Sequence, residues 1–195
     1  TLKPDVITMD LKMPIMSGME AIEKIMEENP VPIIVVSSMD VAVIVRALSV
    51  GALDFVPIAQ DIEQIASDLV EKVRIASRVK PLRRMKIKPV EIICRPKEIS
   101  ASKIVAIGVS TGGPQALQLL FSKLPQNFHA GVLVVQHMSV GFMAGLVEWL
   151  KNTSYLQIQE AAAGNILKIG TILFAPDNYN ISIDNDSRIA LKEDI

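Results

Sequence analysis

Short runs rich in β-branched residues alternate along this chain with longer segments whose apolar residues recur at helical spacing. Apolar runs of this kind are typical of strands buried in a parallel sheet. In residues 1–79, the predicted strands are 5–10, 32–37 and 54–56, and the predicted helices are 18–30, 40–51 and 61–79. The second of these helices is expected to be capped by Asp40 and to end at Gly51. Strands that alternate with helices are joined by right-handed crossovers. The pattern therefore predicts an α/β fold with parallel strands.

The same alternation returns near residue 103. The predicted strand 103–108 (KIVAIG) runs through a glycine-rich turn into a helix that begins near Pro114. Proline is favourable at a first helical position because its missing N–H has no partner there. The next predicted strand is 130–136 (AGVLVVQ), and a helix follows it over residues 141–151. This half of the chain is therefore predicted to be α/β as well.

Charge is unevenly distributed and suggests where the domains divide. Residues 1–71 hold twelve acidic and four basic side chains, whereas residues 72–90 hold eight basic side chains and no acidic one. Pro81 and Pro89 would interrupt any helix in the basic stretch. A basic stretch is usually a solvated linker, although it could contact nucleic acid or an acidic domain. We expect an acidic domain, a basic interdomain linker and a near-neutral domain, over residues 1–79, 80–101 and 102–195.

Overall composition excludes several classes of protein. Half of the 195 residues are hydrophobic, so the chain can bury a core. The net charge of -1 argues against nucleic-acid binding by the whole chain. No apolar run is long enough to span a membrane, and no secretory signal is present. The single cysteine, Cys94, fits a reducing cytoplasm. Because the first residue is Thr1, we expect a fragment or a processed chain.

Two polar residues of the first half lie at the carboxyl ends of predicted strands. Asp10 ends the first strand and Ser37 ends the second. In parallel sheets, ligands and chemistry collect at the carboxyl ends of the strands. An acid at such a place is also a common turn former or helix cap. The position alone therefore leaves both interpretations open.

Ser110 and His137 occupy the corresponding positions in the second half. Each follows a predicted strand, and the two strands are joined by one helix, so they are expected to be neighbours in a parallel sheet. A hydroxyl and an imidazole that meet at adjacent strand ends could serve as a nucleophile and its general base. His129 precedes its strand and is expected to be structural or solvated.

The glycine-rich turn at residues 108–113 (GVSTGG) allows three interpretations. A dinucleotide-binding loop would need a glycine at Ser110 and an acid at His137, so both positions oppose it. A Walker-type phosphate loop is excluded because no Gly-Lys-Ser/Thr follows. The turn could carry no chemistry at all. Alternatively, Gly108-x-Ser110-x-Gly112 matches a nucleophile elbow, which exposes the serine hydroxyl beside backbone N–H groups.

The first half resembles the receiver domain of two-component response regulators. The resemblance rests on residues 10–14 (DLKMP), Gly18 and Ser37, and it covers residues 1–79. It implies a flavodoxin-like fold in which Asp10 accepts a phosphoryl group and binds Mg²⁺, and in which the Ser37 hydroxyl contacts the phosphoryl oxygens. The family's first two strands and its acidic pair would precede Thr1. Ile58 stands where the family has a lysine, so switching by phosphorylation is doubtful.

The second half resembles the catalytic domain of the CheB family of chemotaxis protein-glutamate methylesterases. The resemblance rests on residues 110–114 (STGGP), 136–138 (QHM), Gly141 with Phe142, and 175–177 (APD). That family also places a receiver domain first. The resemblance implies a partial receiver domain followed by a partial doubly wound α/β methylesterase domain, truncated at both ends.

The resemblance to the methylesterases assigns roles to individual residues. Ser110 would be the nucleophile, His137 the general base and then acid, and Thr111 an assisting residue whose N–H could bind the oxyanion. The family's third catalytic residue is an aspartate far downstream, beyond Ile195. Three aspartates lie around a predicted hairpin over 180–183 and 187–192, namely Asp177, Asp184 and Asp186. None of them is assigned the role of the third catalytic residue. Trp149 replaces a usual basic residue and is expected to pack against the sheet rather than dock substrate.

The implied activity is hydrolysis of glutamyl methyl esters on chemotaxis receptors in the cytoplasm, with glutamine deamidation as a further activity. Hydrolysis would need no cofactor, and a chemotaxis histidine kinase would be the phosphodonor of the receiver domain. The missing aspartate predicts that this chain is a poor esterase. Two alternatives remain open. The chain could be a regulator that binds receptor or kinase without turnover, or an unrelated serine hydrolase of small esters.

Overall fold

The computed structural model describes residues 3–58, 61–81, 101 and 103–193. The chain divides into two compact units, Thr1–Lys86 and Ile87–Ile195, and each is described by itself. The division falls within the predicted linker 80–101, of which residues 82–100 lie outside the described part.

The first unit alternates strands and helices as predicted. Its elements are β1 (Ile7–Met9), α1 (Gly18–Glu28), β2 (Ile33–Ser37), α2 (Val41–Val50), β3 (Asp54–Pro57) and α3 (Ile62–Ala76). The strands are parallel and lie in the order β1-β2-β3. The predicted helix over 61–79 was too long, because α3 ends at Ala76 and residues 77–79 form a turn and an irregular segment.

Local signals determine where the helices of this unit begin and end. The Asp40 carboxylate accepts a hydrogen bond from the Val43 N–H at 3.0 Å, which caps α2 as predicted. Gly51, at φ 129°, follows the last residue of α2 and adopts a conformation that side chains disfavour. Ser17 and Glu20 form a reciprocal capping box at the start of α1, which was not predicted from the sequence.

The core of the first unit joins α3 to the sheet. Ile34, Val56 and Ala76 are fully buried and pack together, and Leu53 lies beside them. The buried Asp54 carboxylate of β3 also pairs with the Lys72 ammonium of α3 at 3.1 Å. This short sheet is therefore covered by apolar packing and one shielded ion pair.

The second unit contains a larger parallel sheet. Its elements are β4 (Ile104–Val109), α4 (Gly113–Phe121), β5 (Gly131–Gln136), α5 (Met143–Lys151), β6 (Gln157–Glu160), β7 (Thr171–Phe174), β8 (Tyr179–Ile183) and β9 (Ile189–Glu193). The strand order is β4-β5-β7-β6, with every pair parallel, and β8 and β9 form an antiparallel hairpin. The predicted α/β class with parallel strands is confirmed in both units. Strands β6 and β7 were not predicted from the sequence.

Side-chain alternation along the strands divides the second core between the two faces of the sheet. On one face, Val134 and Phe174 pack with residues of α4 and α5, among them Phe121 and Leu146. On the other face, Leu133 and Leu173 pack with Ile189 of the hairpin. Trp149 is partly buried against the helical face, as its predicted packing role requires.

Strand β4 lies at the edge of this sheet in the described residues. Ile104 and Val105 are 42% and 40% exposed there, although strands of parallel sheets are usually covered on both faces.

None of the helices in the described residues combines the length and the apolar character that crossing a bilayer requires.

Candidate functional site

Ser110 and His137 lie together at the carboxyl edge of the larger sheet. Val109 and Gln136 are register partners at the ends of β4 and β5, and the His137 N–H donates to the Val109 carbonyl at 2.9 Å. The Ser110 Oγ is 3.3 Å from the His137 Nδ1. Both residues are exposed. The structure therefore brings a hydroxyl and an imidazole together where a second molecule can reach them.

The contact through Nδ1 defines the tautomer that this histidine needs. Only an unprotonated Nδ1 can accept the serine proton, so the neutral ring must carry its hydrogen on Nε2. Within residues 103–193 the structure records no acceptor for that second nitrogen. The site thus contains two of the three groups of a serine–histidine–carboxylate arrangement.

The turn after β4 exposes the serine through its backbone geometry. Gly112 adopts φ 78°, and the Gly113 N–H donates to the Ser110 carbonyl at 2.8 Å. Helix α4 begins at Gly113 and has Pro114 in its first turn. Thr111 lies between the serine and the helix start, and the first N–H groups of a helix lack partners within the helix, which suits them to bind an oxyanion. This geometry favours the nucleophile-elbow interpretation over a turn without chemistry.

Gln136 also belongs to this site, although it was not among the site residues predicted from the sequence. Its Nε2 donates to the Ser110 carbonyl at 3.0 Å and to the His137 carbonyl at 2.8 Å. The sequence feature that could have identified Gln136 is a polar residue at the end of an otherwise apolar strand, which suggests a buried side chain with specific partners. Its partners could not be inferred, because one of them lies 26 residues away.

Asp177 follows β7, and its carboxylate accepts the Gly141 N–H at 2.7 Å. It therefore contacts the loop that follows His137, although from the sequence it was expected to lie with the hairpin. Asp184 does belong to the hairpin turn, where its carboxylate accepts the backbone N–H groups of Asp186 and Arg188. That none of these acids is the third catalytic residue stays a prediction.

The first unit brings Asp10 and Ser37 together at the end of its sheet. The Ser37 hydroxyl donates to the Asp10 carboxylate at 3.0 Å, and the Lys12 N–H donates to the same oxygen at 3.2 Å. The backbone bond from Lys12 lowers the pKa of Asp10, and the Ser37 hydroxyl lowers this pKa further, while partial desolvation opposes both. Ile58 donates its N–H to the Ser37 carbonyl at 3.1 Å, and its side chain is 49% exposed.

Replacement of Ser37 by alanine is expected to raise the pKa of Asp10 towards its ordinary value. The hydroxyl stabilises the charged carboxylate, so its loss favours the protonated form. A pH titration of the Asp10 carboxyl carbon by NMR measures the change. Ser49→Ala is the matched control, since the Ser49 hydroxyl donates to the Arg46 carbonyl within α2. Equal Asp10 titrations in both variants would contradict the role of Ser37.

The Mg²⁺ expectation rests on Asp10 alone in this structure. Among the described residues, no group of three or more histidine, cysteine, aspartate or glutamate side chains could hold a metal ion. Binding of Mg²⁺ by Asp10 stays a prediction.

Comparisons with known families agree with the two-unit structure. The profile of the response regulator receiver domain family matches residues 1–69. The profile of the CheB methylesterase family matches residues 105–194. The two matched segments lie in separate compact units.

Similar proteins are called protein-glutamate methylesterase/protein-glutamine glutaminase. The relative from Nitrosospira multiformis is 38% identical over 208 residues, which cover 98% of this chain and 59% of the relative. The relative from Thermotoga maritima is 41% identical over 191 residues, or 93% of this chain and 55% of the relative. The relative from Bacillus subtilis is 38% identical over 207 residues, or 95% of this chain and 57% of the relative. The chain thus spans between half and three fifths of their length.

Two solved structures match parts of the chain. The CheB methylesterase catalytic domain of Thermotoga maritima has a TM-score of 0.44 and 39% identity, covering 47% of this chain and 49% of that chain. The response regulator domain of Thermotoga maritima CheB has a TM-score of 0.37 and 41% identity, covering 40% of this chain and 64% of that chain. From the two family matches and the relatives aligned along nearly all of its length, this chain belongs to the CheB family of chemotaxis methylesterase response regulators.

Proposed function

We propose that this chain provides the nucleophile and the general base of a protein-glutamate methylesterase that acts on chemotaxis receptors in the cytoplasm. Ser110 is the nucleophile, and His137 is the base and then the acid. The observation that carries the proposal is the 3.3 Å separation between the Ser110 Oγ and the His137 Nδ1. The exposure of both residues suits a substrate that is a side chain of another protein.

The proposed reaction has two halves. In the first, His137 Nδ1 takes the hydroxyl proton while Ser110 Oγ attacks the carbonyl carbon of a glutamyl methyl ester. The Thr111 N–H stabilises the resulting oxyanion. His137 then gives the proton to the methoxy oxygen, methanol leaves, and an acyl-serine remains. In the second half, water loses a proton to His137 and attacks the acyl carbon. His137 then returns this proton to the Ser110 Oγ as the acyl–oxygen bond breaks, which releases glutamate and regenerates the free serine. With a glutamine substrate, the leaving group is ammonia instead.

The second candidate function is that of a regulator that binds receptor or kinase without turnover. One observation favours it: within residues 103–193, no acceptor is recorded for the His137 Nε2. A carboxylate at that nitrogen fixes the tautomer and stabilises the imidazolium, and its loss commonly costs about 10⁴-fold in rate. We therefore expect this chain alone to hydrolyse receptor methyl esters slowly.

Methanol release from receptor membranes labelled on their methyl esters tests the proposal. We expect this chain to release methanol slowly but above the rate seen without protein. Receptor binding without any additional methanol release would favour the regulator instead. Rapid hydrolysis of a chromogenic small ester, with no action on the receptor, would support an unrelated acyl hydrolase. The three functions therefore give three different results.

Regulation by the receiver unit is part of the same proposal. Asp10 is the residue that a chemotaxis histidine kinase would phosphorylate, and Ser37 is the hydroxyl that would contact the phosphoryl oxygens. Ile58 cannot pair with a phosphoryl group, because its side chain has neither charge nor donor. We therefore expect phosphorylation of Asp10 to produce a weaker response here than in a receiver with a lysine at that position.

A further inference from the structure

Gln136 is a buried polar residue that the proposed reaction does not use. It ends β5, the strand GVLVVQ, and only 6% of the residue is exposed. Burying an amide costs free energy unless its groups form hydrogen bonds. A glutamine in this strand therefore needs a structural or functional reason.

The Gln136 amide links the backbones of the two proposed reacting residues. Its Nε2 donates to the carbonyl of Ser110, which follows β4, and to the carbonyl of His137, which follows β5. Both partners are carbonyl oxygens and can only accept. If the amide were turned over, Oε1 would face the two carbonyl oxygens and repel them. The hydrogen-bond partners therefore establish that Nε2 is the atom on this side.

The other end of the amide explains one glycine of the turn. The Gln136 Oε1 is buried and has no hydrogen-bond partner among the described residues. It lies against Gly113, where an added Cβ would collide with it and would also lie 2.9 Å from the Val109 Cβ. The site thus contains an amide whose Oε1 is buried without a hydrogen bond, and burying such an acceptor costs free energy.

We propose that Gln136 is a positioning residue of the esterase site. It connects the main chains of Ser110 and His137, and so maintains the approach of the hydroxyl to the imidazole. This inference rests on the proposed function. At 3.3 Å the contact between Ser110 Oγ and His137 Nδ1 is already long, so a small displacement of either strand end would weaken it.

Gln136→Glu is the sharpest variant, because the side chain keeps its shape but the ionised form has no donor. Its ionised carboxylate would repel the two carbonyl oxygens that the amide now joins, and its protonated form has a single O–H that can reach only one of them. A misplacement of about 1 Å can lower a rate by roughly 10²-fold, so we expect Ser110 to react about 10- to 100-fold more slowly. Gln136→Met removes the donor without adding charge and should slow the reaction less.

The experiment measures the rate at which a fluorophosphonate labels Ser110 of this chain, followed by intact mass. Gln157→Glu is the matched control, since this strand glutamine donates to another side chain, that of Gln159, away from the site. Thermal unfolding of each variant is measured in parallel. Slow labelling by Gln136→Glu at temperatures where it stays folded, with normal labelling by the control, supports the proposal. Unchanged labelling by Gln136→Glu overturns it.

A second measurement does not depend on reactivity. Two hydrogen bonds in a buried position should slow exchange of the Gln136 side-chain amide protons with solvent, relative to those of Gln157, as measured by NMR. Equal exchange rates would overturn the positioning role. If the wild-type chain is not labelled at Ser110, the proposed nucleophile is wrong, and amide exchange still decides whether Gln136 joins the two strand ends.

Discussion

Replacement of Ser110 by alanine is expected to lower methanol release from methylated receptor to the rate seen without protein. No other hydroxyl is recorded in contact with the His137 imidazole among the described residues, so the variant loses the only acyl acceptor of the proposed mechanism. Removal of a catalytic serine from a comparable arrangement costs up to about 10⁶-fold. Because this chain is expected to be slow, we expect a measurable loss of about 10²- to 10³-fold.

Ser122→Ala is the control for this experiment. Ser122 follows α4, and its hydroxyl donates to the Leu119 carbonyl at 2.8 Å, away from the site. The control should retain the wild-type rate and the wild-type thermal stability. Methanol release by the Ser110 variant at the wild-type rate would exclude Ser110 as the nucleophile and would remove the basis of the proposed mechanism.

Replacement of Phe174 by alanine is expected to produce the largest loss of stability. Phe174 is fully buried in β7, an interior strand of the larger sheet, and its ring meets that of Phe121 edge to face at 6.2 Å. Substitution of a buried phenylalanine by alanine costs about 3–5 kcal/mol through lost burial and the cavity that remains. A domain has only about 5–15 kcal/mol in total, so much of the stability would be lost.

Urea unfolding followed by tryptophan fluorescence measures this effect. Trp149 is the single tryptophan and packs against the same core, so its emission reports on the second unit. Phe128→Ala is the control, because Phe128 is only partly buried beside that core. Its free energy of unfolding should fall by less. Equal losses in the two variants would show that burial in the interior strand is not what stabilises this sheet.

Local sequence signals accounted for most of the secondary structure. The N-cap at Asp40 and the helix end at Gly51 depend on residues adjacent in sequence, and both lie where they were predicted. Strand β6 (Gln157–Glu160) was missed because its sequence, QIQE, has a single apolar residue. Its pairing with β7 supplies the hydrogen bonds that define it as a strand. Short strands without an apolar run are therefore poorly predicted from sequence alone.

For the candidate site too, some features were predicted from the sequence and others were revealed only by the structure. The positions of Ser110 and His137 at the ends of adjacent strands follow from two strands and one connecting helix, since such strands are usually neighbours. Backbone pairing at Val109 and Gln136 agrees with that expectation. The Asp177 contact with Gly141 was not predicted, because it joins loops 36 residues apart.

The order of residues determined which elements form and which reactive groups stand at strand ends, because caps, turns and periodicity act over a few neighbouring residues. Only the tertiary structure decided which nitrogen of His137 faces Ser110, which carbonyls Gln136 joins and why position 113 is glycine. Those contacts depend on side-chain directions after β4 and β5 have paired. A difference of about one ångström in such contacts separates a hydrogen bond from none, and sequence spacing does not specify distances that finely.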